Sequence, residues 1–176
     1  MKILRNAVVW LWVCVALVGC RSRGANLPDY RVCDFRAEVR VELGEEPFYA
    51  EVLAEQDEGE AYAVLRHVRL LAPPALAGIE LTVEEGAVVL ARDGICEASA
   101  GAEAWWNACS LLCAEGVIRS VCEREWEGLP LDYAEISSGE RVMGVYRDAR
   151  TGIPKRICLD ETVLTVIRWE ETRARA

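Results

Sequence analysis

The sequence predicts an α+β fold: a curved antiparallel sheet of seven to nine strands with one main helix packed on its concave face. Three observations predict it. From Val32 to Leu43 apolar and charged residues alternate strictly, the period of a half-buried strand. Further short apolar segments follow about every ten residues, separated by turn signals, as in an antiparallel meander. One later stretch, Ala102 to Glu115, changes to a helical period.

The elements follow in order. In the first strand Cys33, Phe35, Ala37, Val39, Val41 and Leu43 share one face, and Asp34, Arg36, Glu38, Arg40 and Glu42 share the other. Gly44-Glu45-Glu46-Pro47 is a turn, after which Phe48, Ala50, Val52 and Ala54 continue the alternation in a hairpin partner. Asp57-Glu58-Gly59-Glu60 turns the chain into a third strand, Tyr62 to Leu71, which Pro73-Pro74 must end because proline cannot donate to a ladder. Ile79 to Val83 is the fourth strand, and Ala87 to Arg92, bracketed by Glu85-Gly86 and Asp93-Gly94, is the fifth. The helix carries its apolar stripe at Ala102, Trp105, Trp106, Cys109, Leu112 and Cys113, with Ser99 placed to cap it and Gly116 to end it. A linking stretch through Trp126, Gly128 and Pro130 leads to strands over Arg141–Arg147, Pro154–Leu159 and Thr162–Trp169. Residues 170–176 read as a frayed tail.

The N-terminal region has a different character. Lys2 and Arg5 precede an apolar run from Ala7 to Cys20, too short for the roughly 20 residues that span a bilayer and of the length of a signal-peptide core. Leu17-Val18-Gly19-Cys20 resembles the lipobox of bacterial lipoproteins. The resemblance implies cleavage between Gly19 and Cys20, a diacylglyceryl Cys20, and residence at the cell membrane on its extracytoplasmic face. Two acyl chains at about 0.8 kcal/mol per buried CH2 hold such a protein stably. The expected organisation is residues 1–19 as signal peptide, 20–31 as lipidated cysteine and tether, 32–169 as the domain, and 170–176 as the tail. Removing nineteen of 176 residues leaves enough chain for one self-sufficient core.

Composition narrows the function. The chain carries a net charge of −9, and the mature part is more acidic still because Lys2 and Arg5 leave with the signal. Nucleic acid is therefore not an expected partner, since phosphate binding is driven by lysine and arginine. The single histidine, His67, lies in the third strand, and no G-x-S-x-G elbow, Walker or dinucleotide glycine pattern occurs. The acidic pairs Glu45-Glu46, Glu84-Glu85, Asp160-Glu161 and Glu170-Glu171 fall at turns or ends, where they are simply solvated. The reading is a protein that is not an enzyme and has no cofactor.

Six cysteines besides Cys14 and Cys20 remain: Cys33, Cys96, Cys109, Cys113, Cys122 and Cys158. An exported chain can pair them or leave them as small buried apolar residues, and both readings stand. Cys109 and Cys113 have the spacing of half a zinc site, yet they lie on the apolar stripe and no C-x-x-C occurs, so no metal is expected. Trp105 and Trp106 fill the half-barrel by default. Adjacent helix positions point about 100° apart, however, so one of them is a candidate to line a crevice that contacts lipid or a partner. Trp126 and Trp169 are further candidates for exposed contacts.

The long leading strand, the Pro74-to-Gly78 corner, one helix after five strands and the late Asp148-Ala149-Arg150-Thr151-Gly152-Ile153-Pro154 hairpin resemble LolA/LolB-type lipoprotein-handling proteins. Together with the lipobox they are more closely similar to small half-barrel lipoproteins of Firmicutes. The resemblance, over about Val32 to Trp169, implies a half-barrel whose members bind acyl chains or serve as sensors or partner-binding scaffolds. LolA itself is a soluble carrier, so a lipobox favours an anchored role. The expected function is a lipid-anchored scaffold or interaction module with a protein partner; the alternative is a carrier or sensor of an acyl or other apolar ligand, and a hydrolase comes third, for want of a recognisable catalytic site in the sequence.

Overall fold

The structure is a computed structural model that describes residues 27–138 and 141–173. The expected signal peptide, the cleavage pair Gly19 and Cys20, and the tether up to Asn26 lie outside the described residues, as do residues 174–176.

Eleven strands form one open antiparallel sheet in the order β6-β5-β4-β3-β2-β1-β11-β10-β9-β8-β7. They are β1 (Asp34–Glu42), β2 (Phe48–Glu55), β3 (Val64–Ala72), β4 (Glu80–Glu84), β5 (Ala87–Arg92), β6 (Ile95–Ala98), β7 (Val117–Trp126), β8 (Leu129–Ser138), β9 (Arg141–Asp148), β10 (Pro154–Leu159) and β11 (Thr162–Arg173). Except where β1 meets β11 and where the helix intervenes, sequential neighbours pair, so short turns suffice to build most of the sheet. The helix α1 (Ala100–Ser110) lies between β6 and β7 in sequence, linking the two free edges of the sheet.

The alternation that predicts β1 and β2 is what buries them. Phe35, Ala37, Val39, Val41, Ala50, Val52 and Ala54 are buried, while the residues alternating with them are exposed or only partly buried. The opposite wall of the core comes from α1 and the turn that continues it, Leu111–Cys113, through Ala102, Trp106, Cys109 and Leu112. These side chains form one cluster with Val68, Leu70, Leu81, Ile136, Val145, Ile157 and Leu164. Ser99 is the N-cap residue but makes no side-chain cap bond. Among the described residues no helix is long and apolar enough to cross a membrane.

Three features differ from the sequence expectation. The sheet has eleven strands rather than seven to nine: β6 occupies a stretch to which the sequence reading gave no element, and β7 and β8 occupy the stretch read as a link. Both are edge-side segments with weak patterns: β7 leaves Val117 and Val121 exposed, and β8 carries Pro130 opposite Glu125. The tail is not frayed from Glu170, since β11 runs to Arg173 and pairs Glu170 with Arg36 and Glu171 with Phe35. The last tether residues also belong to the body: Tyr30 and Arg31 are buried in a helical turn, Tyr30–Val32.

Candidate functional site

A cleft of about 820 Å3 opens where the packing between helix and sheet ends. Its lining comes from four places: residues Glu60–Arg66 entering β3, Val83 on β4, Trp106, Ser110 and Cys113 at the end of α1, and Ala114–Val117 leading into β7. Each arrives for a local reason. Gly59 takes a positive φ in the turn that sends the chain into β3. Gly116, at φ +129°, turns the chain out of the helical segment and lies so close to the Ser137 carbonyl that a Cβ would not fit.

The cleft exists because β3 and β4 separate. Their ladder consists of Val68 with Leu81 and Arg69 with Glu80. Both strands continue beyond it, β3 back to Val64 and β4 on to Glu84, with β4 paired there only to β5. Val64 and Val83 stand on the two sides of the split, 41% and 48% exposed, and Val117 on the far wall is 62% exposed. Trp106, only 9% exposed, lies among the lining residues. The charged lining residues are Glu60, Arg66 and Glu115, and Arg66 is held by an ion pair with Asp57. Among the described residues neither Glu60 nor Glu115 has an ion-pair partner.

One buried cation fixes the walls relative to each other. The Arg31 side chain is wholly buried; its Nε and Nη2 donate to the two Asp29 carboxylate oxygens at 2.9 and 2.7 Å. Nη1 donates to the Ala114 carbonyl at 2.5 Å and Nη2 to the Gly116 carbonyl at 3.0 Å. The guanidinium lies 4.2 Å over the Tyr62 ring, and the Ala63 N–H donates to the Arg31 carbonyl at 2.6 Å. Burial alone would raise the Asp29 pKa, but the bonds from the Arg31 side chain and backbone outweigh it and hold the carboxyl below its ordinary range. Arg31 thus ties the N-terminal approach to both the Tyr62 wall and the Ala114–Gly116 wall. A smaller cavity of about 290 Å3, lined by Leu27, Asp29, Ser120 and Arg147 among others, adjoins the cleft and shares Tyr62 and Val117 with it. There Arg147, 2% exposed, donates to Asp132 at 2.5 Å and to Ser120 at 3.0 Å.

The tryptophans separate as their helical phase requires. Trp106 lines the cleft, whereas Trp105 is half-buried against Phe48 with ring centroids 6.4 Å apart. Two other candidates are placed differently from the expectation of exposed contacts. Trp169 stacks on Phe35 at 4.2 Å and meets Tyr30 edge-on at 5.8 Å, so it seals the core under the N-terminal turn. Trp126 is half-buried on β7 with the Arg156 guanidinium 5.7 Å from its ring. Val64, Val83 and Val117 carried no signal of their own in the sequence.

Apart from Cys113, the other chemistry-bearing residues lie away from the cleft. His67 is half-buried on β3 and lies 3.5 Å from the Glu80 carboxylate. The six cysteines within the described residues are free. Burial pushes the thiol pKa values of Cys109 and Cys113 up to about 12, so both are neutral thiols rather than thiolates, Cys109 in the core and Cys113 half-buried at the cleft. Among the described residues no group of three or more His, Cys, Asp or Glu side chains is placed to hold a metal ion.

No protein-family model matches the chain, and no curated protein matches it. Solved structures do. The chain is similar to an uncharacterized conserved protein from Thermus thermophilus, with 15% identity, 82% of each chain covered and a TM-score of 0.50. It is also similar to MucB in the Pseudomonas aeruginosa MucA/MucB complex, with 16% identity, 83% of this chain and 54% of that chain covered and a TM-score of 0.44. A LolA superfamily protein from Nitrosomonas europaea matches at 7% identity over 87% of this chain and 92% of that chain, with a TM-score of 0.38. The chain spans about half the length of the MucB chain. At these identities the likeness is one of fold: an open antiparallel half-barrel with one helix across it.

Proposed function

We propose that this chain is a lipid-anchored, extracytoplasmic interaction module whose recognition surface is the cleft between β3 and the α1–β7 connection. The observation that carries the reading is the cleft itself. Monomeric proteins seldom leave bulky apolar side chains gathered around a concavity unless something covers them. Here Val64, Val83 and Val117 do so, while the half-barrel behind them is filled by the protein's own helix. Lipid on Cys20 would supply membrane residence without a basic docking surface, in keeping with the acidic composition.

A second reading, an acyl chain or other apolar ligand in the same cleft, is favoured by its volume, which falls in the range of small-molecule sites. Either way the cleft does the binding and catalysis has no part. Native mass spectrometry of the mature domain, with Cys20→Ser and purified gently from its host, separates the two. A released apolar mass selects the ligand, and a bare protein mass selects the partner. Anchoring is tested by labelling cells with an alkynyl fatty acid. The wild-type chain takes up label and Cys20→Ser does not; equal labelling of both removes the anchor from the account.

A further inference from the structure

We infer that the guest of the cleft is an extended peptide strand with basic flanking residues, seated in the split between β3 and β4. The inference rests on the reading of the cleft as the recognition surface and names the chemistry of its partner.

Two independent observations carry it. The first is backbone. Where the ladder stops at Val68 and Leu81, the β3 edge from Val64 to His67 and the β4 edge from Thr82 to Glu84 lose their mutual partners, although both segments remain extended. A hydrocarbon guest laid over this edge would strip water from peptide groups and return no hydrogen bond, which is costly. A peptide strand pairs with such an edge directly and puts alternate side chains against the apolar walls, the mode of strand addition. The Val64 and Val83 side chains provide those walls, and Trp106 contributes to the same lining.

The second observation is charge. Arg66 is the one basic residue among those lining the cleft, and Asp57 already engages it, whereas Glu60 and Glu115 have no ion-pair partner among the described residues. The field at the mouth is therefore negative, on an acidic chain. It attracts lysine or arginine beside the apolar segment and opposes fatty-acid carboxylates and anionic headgroups. Backbone and charge thus exclude the same competitor for different reasons.

The test is isothermal titration of the mature domain with a capped, alternating lysine–valine peptide of about seven residues, its glutamate–valine counterpart, a version N-methylated on alternate amides, and palmitate. The lysine–valine peptide binds, and added salt weakens it. N-methylation or the Glu60→Lys/Glu115→Lys double substitution weakens it at least about tenfold, and Val83→Arg, on an exposed side chain, does the same without loss of fold by circular dichroism. Equal binding of the glutamate–valine or N-methylated peptide overturns the strand reading. Palmitate binding that Val83→Arg abolishes, with no peptide binding, also overturns it but leaves the cleft as the site. Binding of none of these probes overturns the strand reading too. If the surviving contacts in cells then map away from the cleft, the interaction-module reading falls with it.

Discussion

Replacing Arg31 with methionine keeps most of the side-chain volume and removes the guanidinium that joins three segments. Removing one member of a buried ion pair costs about 3–5 kcal/mol when the other charge stays buried. The Asp29 side chain is 28% exposed and can rehydrate in part. The expected loss is therefore about 2–3 kcal/mol. With a urea slope of about 2 kcal/mol/M for a chain of this size, the midpoint falls by roughly 1–1.5 M. The difference also depends on pH in a definite direction. The folded-state pKa of Asp29 is depressed, so its contribution is complete above the unfolded carboxyl value of about 3.9 and is lost as pH falls through the folded value. Urea titrations of wild type and Arg31→Met at neutral and acid pH read both effects. Amide exchange adds a local test, with faster exchange expected in residues 114–117, where Arg31 holds the Ala114 and Gly116 carbonyls. A midpoint shift below about 0.3 M refutes the clamp, as does a gap that does not shrink in acid.

Other expected outcomes follow from single features. Cys109, wholly buried and neutral at pH 8 because burial raises its pKa to about 12, resists iodoacetamide until the chain unfolds, while exposed Cys96 reacts at once; mass mapping of the alkylated sites checks this. Gly116→Ala drives a Cβ onto the Ser137 carbonyl at a positive φ and lowers the melting temperature by roughly 4–8 °C, corresponding to about 2 kcal/mol. Leu112→Ala, a wholly buried side chain between helix and sheet, costs about 3 kcal/mol in a denaturant titration. Val117→Ser, at an exposed site on the cleft wall, leaves stability within about 0.5 kcal/mol while weakening whatever occupies the cleft.

The sequence disclosed elements wherever one face is buried and the other wet. Phe35, Ala37, Val39 and Val41 announce β1 because the same alternation that is visible in the chain is what the core requires. The helix was equally plain, as its stripe of Ala102, Trp106, Cys109 and Leu112 is buried in register with its period. β7 was hidden because an edge strand has little obligation to alternate, and β8, next to it, because Pro130 and a buried charge interrupt its apolar pattern. Val117, Val121 and Leu129 are exposed there, and Asp132 is buried only because Arg147 on the neighbouring strand neutralises it. The site was half legible. Helical phase alone indicated that one of Trp105 and Trp106 would reach a crevice, but not that it is Trp106. The split between β3 and β4 could not be read, because it depends on where a ladder ends, a property of two strands joined through a distant corner rather than of either segment. Arg31 gave no signal for the same reason: its partners Ala114 and Gly116 lie more than eighty positions away. Trp169 misled because a tryptophan near an expected tail suggests exposure, whereas Tyr30 and Phe35 enclose it.

The central claim is that contact with the guest occurs in the cleft. A photo-crosslinking residue placed in turn at Val83, Val117 and Arg36 in living cells tests it most directly, with each adduct identified by mass spectrometry. Val83 and Val117 line the cleft, and Arg36 lies exposed on the outer face of β1. The account predicts the same adduct from Val83 and Val117 and none from Arg36. Adducts from Arg36 alone would contradict it and move the working surface to the convex side of the sheet.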